Sequence, residues 1–274
     1  MLAGSAAAFG WLALGNTGPS PIAVTPGGQP TQGGWLRGRV ASGARGLLLD
    51  GKPVSFAPDG AFLIAFDRDA GASARLSVSP RTGESFSQDI AIAPRAWQIE
   101  HINVARKPGG VTDEEYLRLR RAELARIASA RALDTGAQGW RQDFLRPVPG
   151  RFSGRFGSQR IYKGEPAAYH SGLDIAGGAG TTFLAPADGV VTLAAHDAPF
   201  SLEGRLLMLD HGMGLNSAFL HASALLVKEG DVVRRGDPIG RIGSTGRATG
   251  PHLHWSMKWR ETRLDPLLFL AGGA

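Results

Sequence analysis

Glycine and proline, which disfavour the interior of a helix, are so frequent in this chain that few long helices are expected. The 274 residues include 39 glycines and 17 prolines, together about a fifth of the chain. This composition favours short strands joined by turns over a helical bundle. The length is typical of two domains, and an apolar fraction of 43% supplies enough side chains for a hydrophobic core.

The N-terminal segment, residues 1–34, is uncharged, and the first charged residue is Arg37. Its apolar run, Met1 to Gly15, resembles a secretory signal that ends in a small-x-small cleavage site, although a basic start is missing. We therefore expect export to the periplasm or cell envelope. The segment also allows membrane association, and the alternative is an apolar tail or a start site placed too late. The Pro-, Gly- and Thr-rich residues 16–34 are predicted to be a linker.

Residues 35–106 are predicted to form a small accessory domain of the β-sandwich type. About seven short strands alternate with turns in this region, and Trp97–Val104 is expected to be the last of them. Asp50-Gly51 supplies the positive φ values of a type I′ turn between two strands, which predicts a hairpin.

Residues 107–146 are predicted to be a helical connector. A helix over 112–133 is expected because Thr112 and Glu115 can form a capping box and Gly136 lies just beyond the end. The expected apolar stripe consists of Leu117, Leu124, Ile127 and Ala128. The stripe is short, which favours a solvated helix packed on one domain over a coiled-coil or docking helix.

Residues 147–270 return to a strand pattern and are predicted to be a second, β-rich domain. The expected strands are Val190–Ala194, Leu206–Leu209, Leu215–Leu220, Val232–Val233 and His252–Trp259. The predicted fold class is therefore mainly β, with two β domains joined by one connector helix.

Composition removes several classes of function. The chain has no cysteine, so thiolate zinc fingers, Fe–S clusters and a cysteine nucleophile are excluded, and any metal site must use His, Asp or Glu. The net charge of +6 is spread along the chain, which disfavours a nucleic-acid partner. The sequence from Gly46 to Lys52 is similar to a phosphate-binding loop, but Pro53 occupies the position of the required Ser or Thr. A phosphate-binding loop is therefore excluded here.

Two clusters among the seven histidines carry the candidate chemistry. His170 precedes Asp174 by four residues, and His252 and His254 flank Leu253 in a strand-like segment. A strand places both of these histidines on one face. Two imidazoles and a carboxylate suit a tetrahedral zinc ion with one open position, although spacing alone leaves open which histidine of the pair binds the metal. The structural histidines are expected to be His101, His196 and His211.

The order of these motifs resembles the M23 metallopeptidases of the lysostaphin/LytM type over about residues 147–268. The resemblance rests on seven blocks: Arg155-Phe-Gly157, His170-x-x-x-Asp174, Ala185-Pro-Ala-Asp-Gly189, Phe219-Leu-His221, Gly230 to Gly240, Gly243-Ser-Thr-Gly246 and Gly250-Pro-His-Leu-His254. It implies a C-terminal domain of the duplicated-hybrid type with one zinc ion per chain.

The same resemblance implies a role for each residue. His170, Asp174 and His254 match the family's zinc ligands, and His221 and His252 match its two catalytic histidines. Histidine can replace a glutamate base because it titrates near neutral pH. Ala218-Phe219-Leu220 departs from the family's Thr-x-Tyr before the first catalytic histidine.

The implied activity is zinc-dependent endopeptidase cleavage of peptide cross-links in bacterial peptidoglycan, with D-Ala–diaminopimelate bonds expected over Gly–Gly bonds. One alternative is a non-catalytic LytM-type domain that binds and activates cell-wall amidases, but such domains lose ligands that are all present here. A second alternative, a biotinyl or phosphotransferase carrier of related fold, is disfavoured by Asp174 and by the N-terminal apolar segment.

Overall fold

The structure, a computed structural model, describes residues 22–104 and 114–270. The apolar segment Met1 to Gly15 and the capping residue Thr112 lie outside the described residues, so both predictions stay untested. Among the described residues, no helix combines the length and apolar character needed to span a membrane.

The accessory region contains two antiparallel sheets. One has the order β1-β2-β5 and the other β4-β3-β6-β7. Asp50 and Gly51 both have positive φ, as the predicted hairpin requires. The strands are β1 Ile22–Gln29, β2 Trp35–Val40, β3 Ala44–Leu49, β4 Lys52–Pro53, β5 Ala61–Ala65, β6 Ser73–Pro80 and β7 Phe86–Ala91.

Two strands differ from the sequence prediction. Residues 22–29 were expected to be linker, yet they form β1 and pair with β2. The strand near 97–104 is shorter than predicted, as β8 (Ile99–Ile102), and it leaves the sandwich. It pairs in parallel with β10 (Gln159–Tyr162), which also pairs with β11 (Glu165–Pro166). The two β regions thus share a sheet.

The connector helix α1 spans Glu114–Ala132 and packs differently from the prediction. Leu117 and Leu124 are nearly half exposed, whereas Glu123 and Ala130 are buried. The Glu123 carboxylate accepts hydrogen bonds from the backbone N–H and hydroxyl of Ser201. A polar anchor therefore holds this helix on the C-terminal domain, which a search for an apolar stripe does not detect.

A central sheet organises the C-terminal region, with the order β18-β14-β15-β16-β20-β12-β9 and β21 paired to β20. A smaller sheet has the order β13-β19-β17. The strands are β9 Phe152–Gly154, β12 Leu173–Ala176, β13 Thr182–Leu184, β14 Gly189–Ala194, β15 Arg205–Asp210, β16 Leu215–Ala222, β17 Ala224–Leu225, β18 Val232–Val233, β19 Pro238–Arg241, β20 His252–Trp259 and β21 Thr262–Leu264. The chain also has 3₁₀ turns at Gly139–Arg141 and Pro266–Phe269.

The mainly β fold class is confirmed, and one hydrophobic cluster continues from the N-terminal sheets into the central sheet. Trp35 stacks on Phe269 with ring centroids 4.7 Å apart, and its indole N–H donates to the Leu268 carbonyl. On the other face of the central sheet, a second cluster including Ala130, Leu206 and Met208 packs the sheet against α1. The sheet is therefore covered on both faces near its β14–β16 side.

A buried hydrogen-bond chain supports the central sheet from within. His211 is fully buried, and its Nδ1–H donates to the Asp188 carbonyl at 2.7 Å. Its Nε2 then accepts from the Ser217 hydroxyl at 2.8 Å, and the Ser217 oxygen accepts from the Trp255 indole. Burial lowers the pKa of His211 to about 4 because the charged ring would be desolvated.

This burial predicts an acid-sensitive fold. The unfolded state takes up a proton on His211 below about pH 6.5, whereas the folded state does not until about pH 4. The free energy of unfolding should therefore fall between these values, by up to about 3 kcal/mol from this residue. Urea unfolding measured from pH 7.5 to 4 should show a shallower pH dependence for His211→Gln than for the unmodified chain.

The exposed His101 provides the control, since its substitution by glutamine also removes a histidine but leaves the buried hydrogen-bond chain intact. If the free energy of unfolding depended on pH equally in the unmodified chain and in His211→Gln, His211 would not be the source of the acid sensitivity.

Candidate metal centre

Strand β20 presents two histidines on one face of the central sheet. Burial alternates along the strand, so Leu253 is fully buried while His252 and His254 are partly open on the opposite side. Strand β12 pairs antiparallel with β20 and places Asp174 directly across from His254. The predicted strand period is confirmed, and the register adds a carboxylate on the same face.

His170 reaches this face from the loop before β12. Its backbone N–H donates to the Ser158 carbonyl, and its own carbonyl accepts from Gly157 N–H. The ring Nδ1 lies 3.1 Å from the Arg155 carbonyl, which can only accept, so Nδ1 carries the hydrogen. Nε2 is therefore the ring nitrogen that faces Asp174 and that a metal ion could bind.

Three donor atoms converge at this point. His170 Nε2 lies 3.1 Å from Asp174 Oδ1 and 3.2 Å from His254 Nδ1, and the latter two atoms are 2.8 Å apart. Ligands of a tetrahedral zinc ion lie roughly 3.3 Å from one another, given bonds of about 2.0–2.2 Å. The cluster therefore has nearly the spacing of a zinc ligand set and needs only a small expansion.

The electrostatics of the cluster also suit a cation. The Asp174 carboxylate can only accept hydrogen bonds, and in the metal-free cluster it accepts them from the His170 and His254 rings. A bound cation would take the place of those protons. Burial opposes the ionised form of Asp174, but hydrogen bonds from His170 and His254 hold the pKa of this carboxyl far below its usual range. Burial lowers the pKa of His254, so its ring stays neutral, as a metal ligand requires.

Two further histidines lie beside the cluster. The His221 and His252 ring centroids are 5.1 Å apart, and His252 Nε2 is 3.7 Å from Asp174 Oδ1. His221 Nδ1–H donates to the Thr245 carbonyl and His252 Nδ1–H to the Gly250 carbonyl, each at 2.8 Å. Both rings are thereby fixed with Nε2 as the nitrogen that can accept a proton.

The position of His221 depends on an unusual backbone conformation. Leu220 pairs with His254 and shares its face, so the next residue of a regular strand would point to the opposite face. His221 instead has φ of 65°, in the left-handed region, which re-aims its ring towards His252. Such a conformation costs about 1–3 kcal/mol and is concentrated at functional sites. Burial, followed by repulsion from His254 and His252, lowers the pKa of His221.

The structure therefore brings together all five predicted site residues: His170, Asp174, His221, His252 and His254. The other three histidines are separate from them. His101 is exposed in β8, His196 donates to the Val227 carbonyl, and His211 belongs to the buried chain in the core.

A residue missed by the sequence motifs is Arg68 of the accessory region. Its side chain is almost fully buried and donates twice to the Gly157 carbonyl, at 3.1 and 3.0 Å. It also lies over the rings of Trp97 and Tyr169. Arg68 thus fixes the Arg155–Gly157 loop that holds His170. No motif marks it, because Gly157, the partner that links it to the site, is 89 residues away in the chain.

Comparisons with known proteins agree with this geometry. Residues 168–266 match the model of peptidase family M23. An uncharacterized metalloprotease of Haemophilus influenzae is 40% identical over 98 residues, which are 36% of this chain and 20% of that protein. The peptidoglycan DD-endopeptidase ShyA of Vibrio cholerae is 38% identical over 108 residues, which are 39% of this chain and 24% of that protein. The matched part spans about a fifth to a quarter of the length of these relatives.

One solved structure extends the likeness beyond the matched region. A crystal structure described as a candidate peptidase M23 from Pseudomonas aeruginosa is 28% identical, with a TM-score of 0.67. It covers 88% of this chain, and this chain covers 95% of it, so the likeness includes most of the accessory region. The sequence resemblance is confirmed, since residues 168–266 match the model of peptidase family M23.

Proposed function

We propose that the chain is a zinc metallo-endopeptidase that hydrolyses peptide cross-links of bacterial peptidoglycan, of the D,D-endopeptidase type. The observation that carries the proposal is the convergence of His170, Asp174 and His254 beside His221 and His252. The M23 match supports a peptidase, and the similarity to ShyA supports peptidoglycan as the substrate.

The donor set fits one zinc ion per chain, held by His170 Nε2, Asp174 Oδ1 and His254 Nδ1. When bound, zinc would polarise the scissile carbonyl and lower the pKa of water. The Arg155 carbonyl accepts a hydrogen bond from His170 Nδ1–H. This contact keeps the His170 ring in the tautomer that leaves Nε2 available to the metal.

His252 and His221 supply the proton transfers in this proposal. The backbone hydrogen bonds fix each Nδ1–H, so each Nε2 is available to accept a proton from the attacking water. After protonation the same nitrogen donates, either to the developing oxyanion or to the leaving amine. The absence of glutamate from the five converging residues makes these rings the available bases.

A peptidoglycan substrate implies action outside the cytoplasm, in the periplasm or cell envelope. The apolar N-terminal segment is consistent with export and with membrane association, and the charge pattern does not favour nucleic acid. The alternative of a non-catalytic amidase activator is disfavoured because all five side chains are present and converge.

Zinc content and peptidoglycan digestion test the proposal directly. We expect about one zinc per chain and release of shorter muropeptides that a chelator abolishes. His170→Ala should lose or greatly reduce both, since it removes one of three ligands. His101→Gln should change neither. A chain without bound zinc and without cleavage of cross-linked peptidoglycan would contradict the proposed function.

The two histidines of β20 should respond differently to substitution. His252→Ala should retain zinc but lose most activity, by about 10²-fold or more, because a proton-transfer group is removed. His254→Ala should lose zinc. Metal analysis together with digestion rates separates the two, and equal zinc loss in both variants would show that the roles are assigned wrongly.

A glycine beside the cluster should be intolerant of a side chain. A Cβ on Gly172 would lie 2.6 Å from His254 Nε2 and 2.7 Å from the Trp255 carbonyl. Gly172→Ala should therefore displace His254 and weaken zinc binding roughly tenfold or more, measured by competition with a chromogenic chelator.

Gly178→Ala is the matched control, because its Cβ would meet nothing closer than Thr181 Oγ1 at 3.7 Å. Unchanged zinc affinity in Gly172→Ala would argue against His254 as a ligand.

A further inference from the structure

A cavity of about 710 Å³ adjoins the metal centre and is walled by the connector helix. On the sheet side its lining includes His254, Leu220 and Met208, and on the helix side Ile127 and Arg131. It therefore begins at a candidate zinc ligand and continues between α1 and the face of β16 and β15 that this helix covers. The helix lies outside the region that matches peptidase family M23.

Most cations along this cavity are already engaged. Arg120 makes a two-pronged ion pair with Glu203, both contacts being 2.7 Å, and Lys258 pairs with Glu261 at 2.9 Å. Arg260 donates to the Pro53 carbonyl. Arg263 also lines the cavity, and it lies over the ring of Tyr169 at 5.5 Å.

Arg131 is the exception. Its side chain makes no hydrogen bond or ion pair with any residue in 22–104 or 114–270, and its Nε is buried without a partner. Glu203 and Glu261 attract it only from beyond ion-pair distance, while Arg263 repels it. Part of this guanidinium is therefore withdrawn from water with no anion beside it, which is costly. A carboxylate that bound its terminal nitrogens would recover part of that cost through a bidentate contact.

We propose that Arg131 binds a carboxylate of the peptide substrate in this cavity, so that the connector helix supplies a substrate-recognition residue. This inference rests on the proposed function for its substrate class. Peptidoglycan stem peptides bearing diaminopimelate carry free carboxylates. The apolar walls formed by Leu220, Met208 and Ile127 suit the methylene and methyl groups beside them.

Arg131 is a binding residue in this arrangement and takes no part in proton transfer. Loss of its charge should therefore raise KM for carboxylate-bearing peptides and leave kcat unchanged. The effect should disappear when the same peptide carries amides in place of its carboxylates, because a neutral amide cannot form the charge-assisted pair.

The test measures binding separately from cleavage. A soluble tetrapeptide stem with free carboxylates and its amidated form are titrated calorimetrically into the full chain carrying His252→Ala. We expect the acid to bind more tightly than the amide. Adding Arg131→Gln should weaken acid binding about tenfold or more and abolish the preference, and Arg131→Lys should retain part of it.

Arg121→Gln is the matched control, since this exposed arginine of the same helix does not line the cavity. Thermal unfolding reports whether each variant is folded, and the Arg131→Lys arm decides the outcome if Arg131→Gln does not fold. Equal acid and amide affinities, or no binding of either peptide at millimolar concentration, would overturn the inference.

The two proposals fail in distinguishable ways. Cleavage of peptidoglycan together with binding that does not depend on Arg131 leaves the peptidase function intact and rejects the carboxylate site. Binding that depends on Arg131, in a chain that fails to cleave peptidoglycan, rejects the peptidase function and retains the carboxylate site.

Discussion

The antiparallel register between β12 and β20 is the constraint on which the candidate site depends. It sets Asp174 opposite His254 and Ala176 opposite His252, so that carboxylate and imidazoles share one face. A shift by one residue would turn the side chains to the buried face. Leu253, Trp255 and Ile175 are fully buried behind them, and this apolar pattern fixes the register that the polar site requires.

Much of the site could be predicted from sequence, because local periodicity determines it. His252–Trp259 is a strand with the predicted bounds, and its alternation separates the two histidines from Leu253. The convergence of His170 with His254 is not local. The residue types suggested a shared metal site, but the assignment of His170 and His254 as its ligands came from the resemblance to a family, since 84 residues separate the two rings.

The errors of sequence analysis have physical causes as well. Residues 22–29 contain turn-forming Pro and Gly, yet pairing with β2 makes them a strand. The helix was expected to bury leucines, but its buried contacts centre on Glu123, which Ser201 and Arg120 satisfy. Long-range partners decided both outcomes. The same is true of Arg68, whose role depends on a loop that no nearby residue predicts.

The stacking of Trp35 on Phe269 affects whether the accessory region and the C-terminal region can be separated. A region that carries all five candidate site residues could be expected to fold apart from the accessory region, yet Phe269 near its C-terminal end belongs to a core that both regions share. A fragment limited to residues 147–270 would keep every candidate ligand and expose Phe269 and Phe156 to water. Recombination that exchanged the N-terminal region would have to supply a matching aromatic surface, so the two parts are constrained to diverge together.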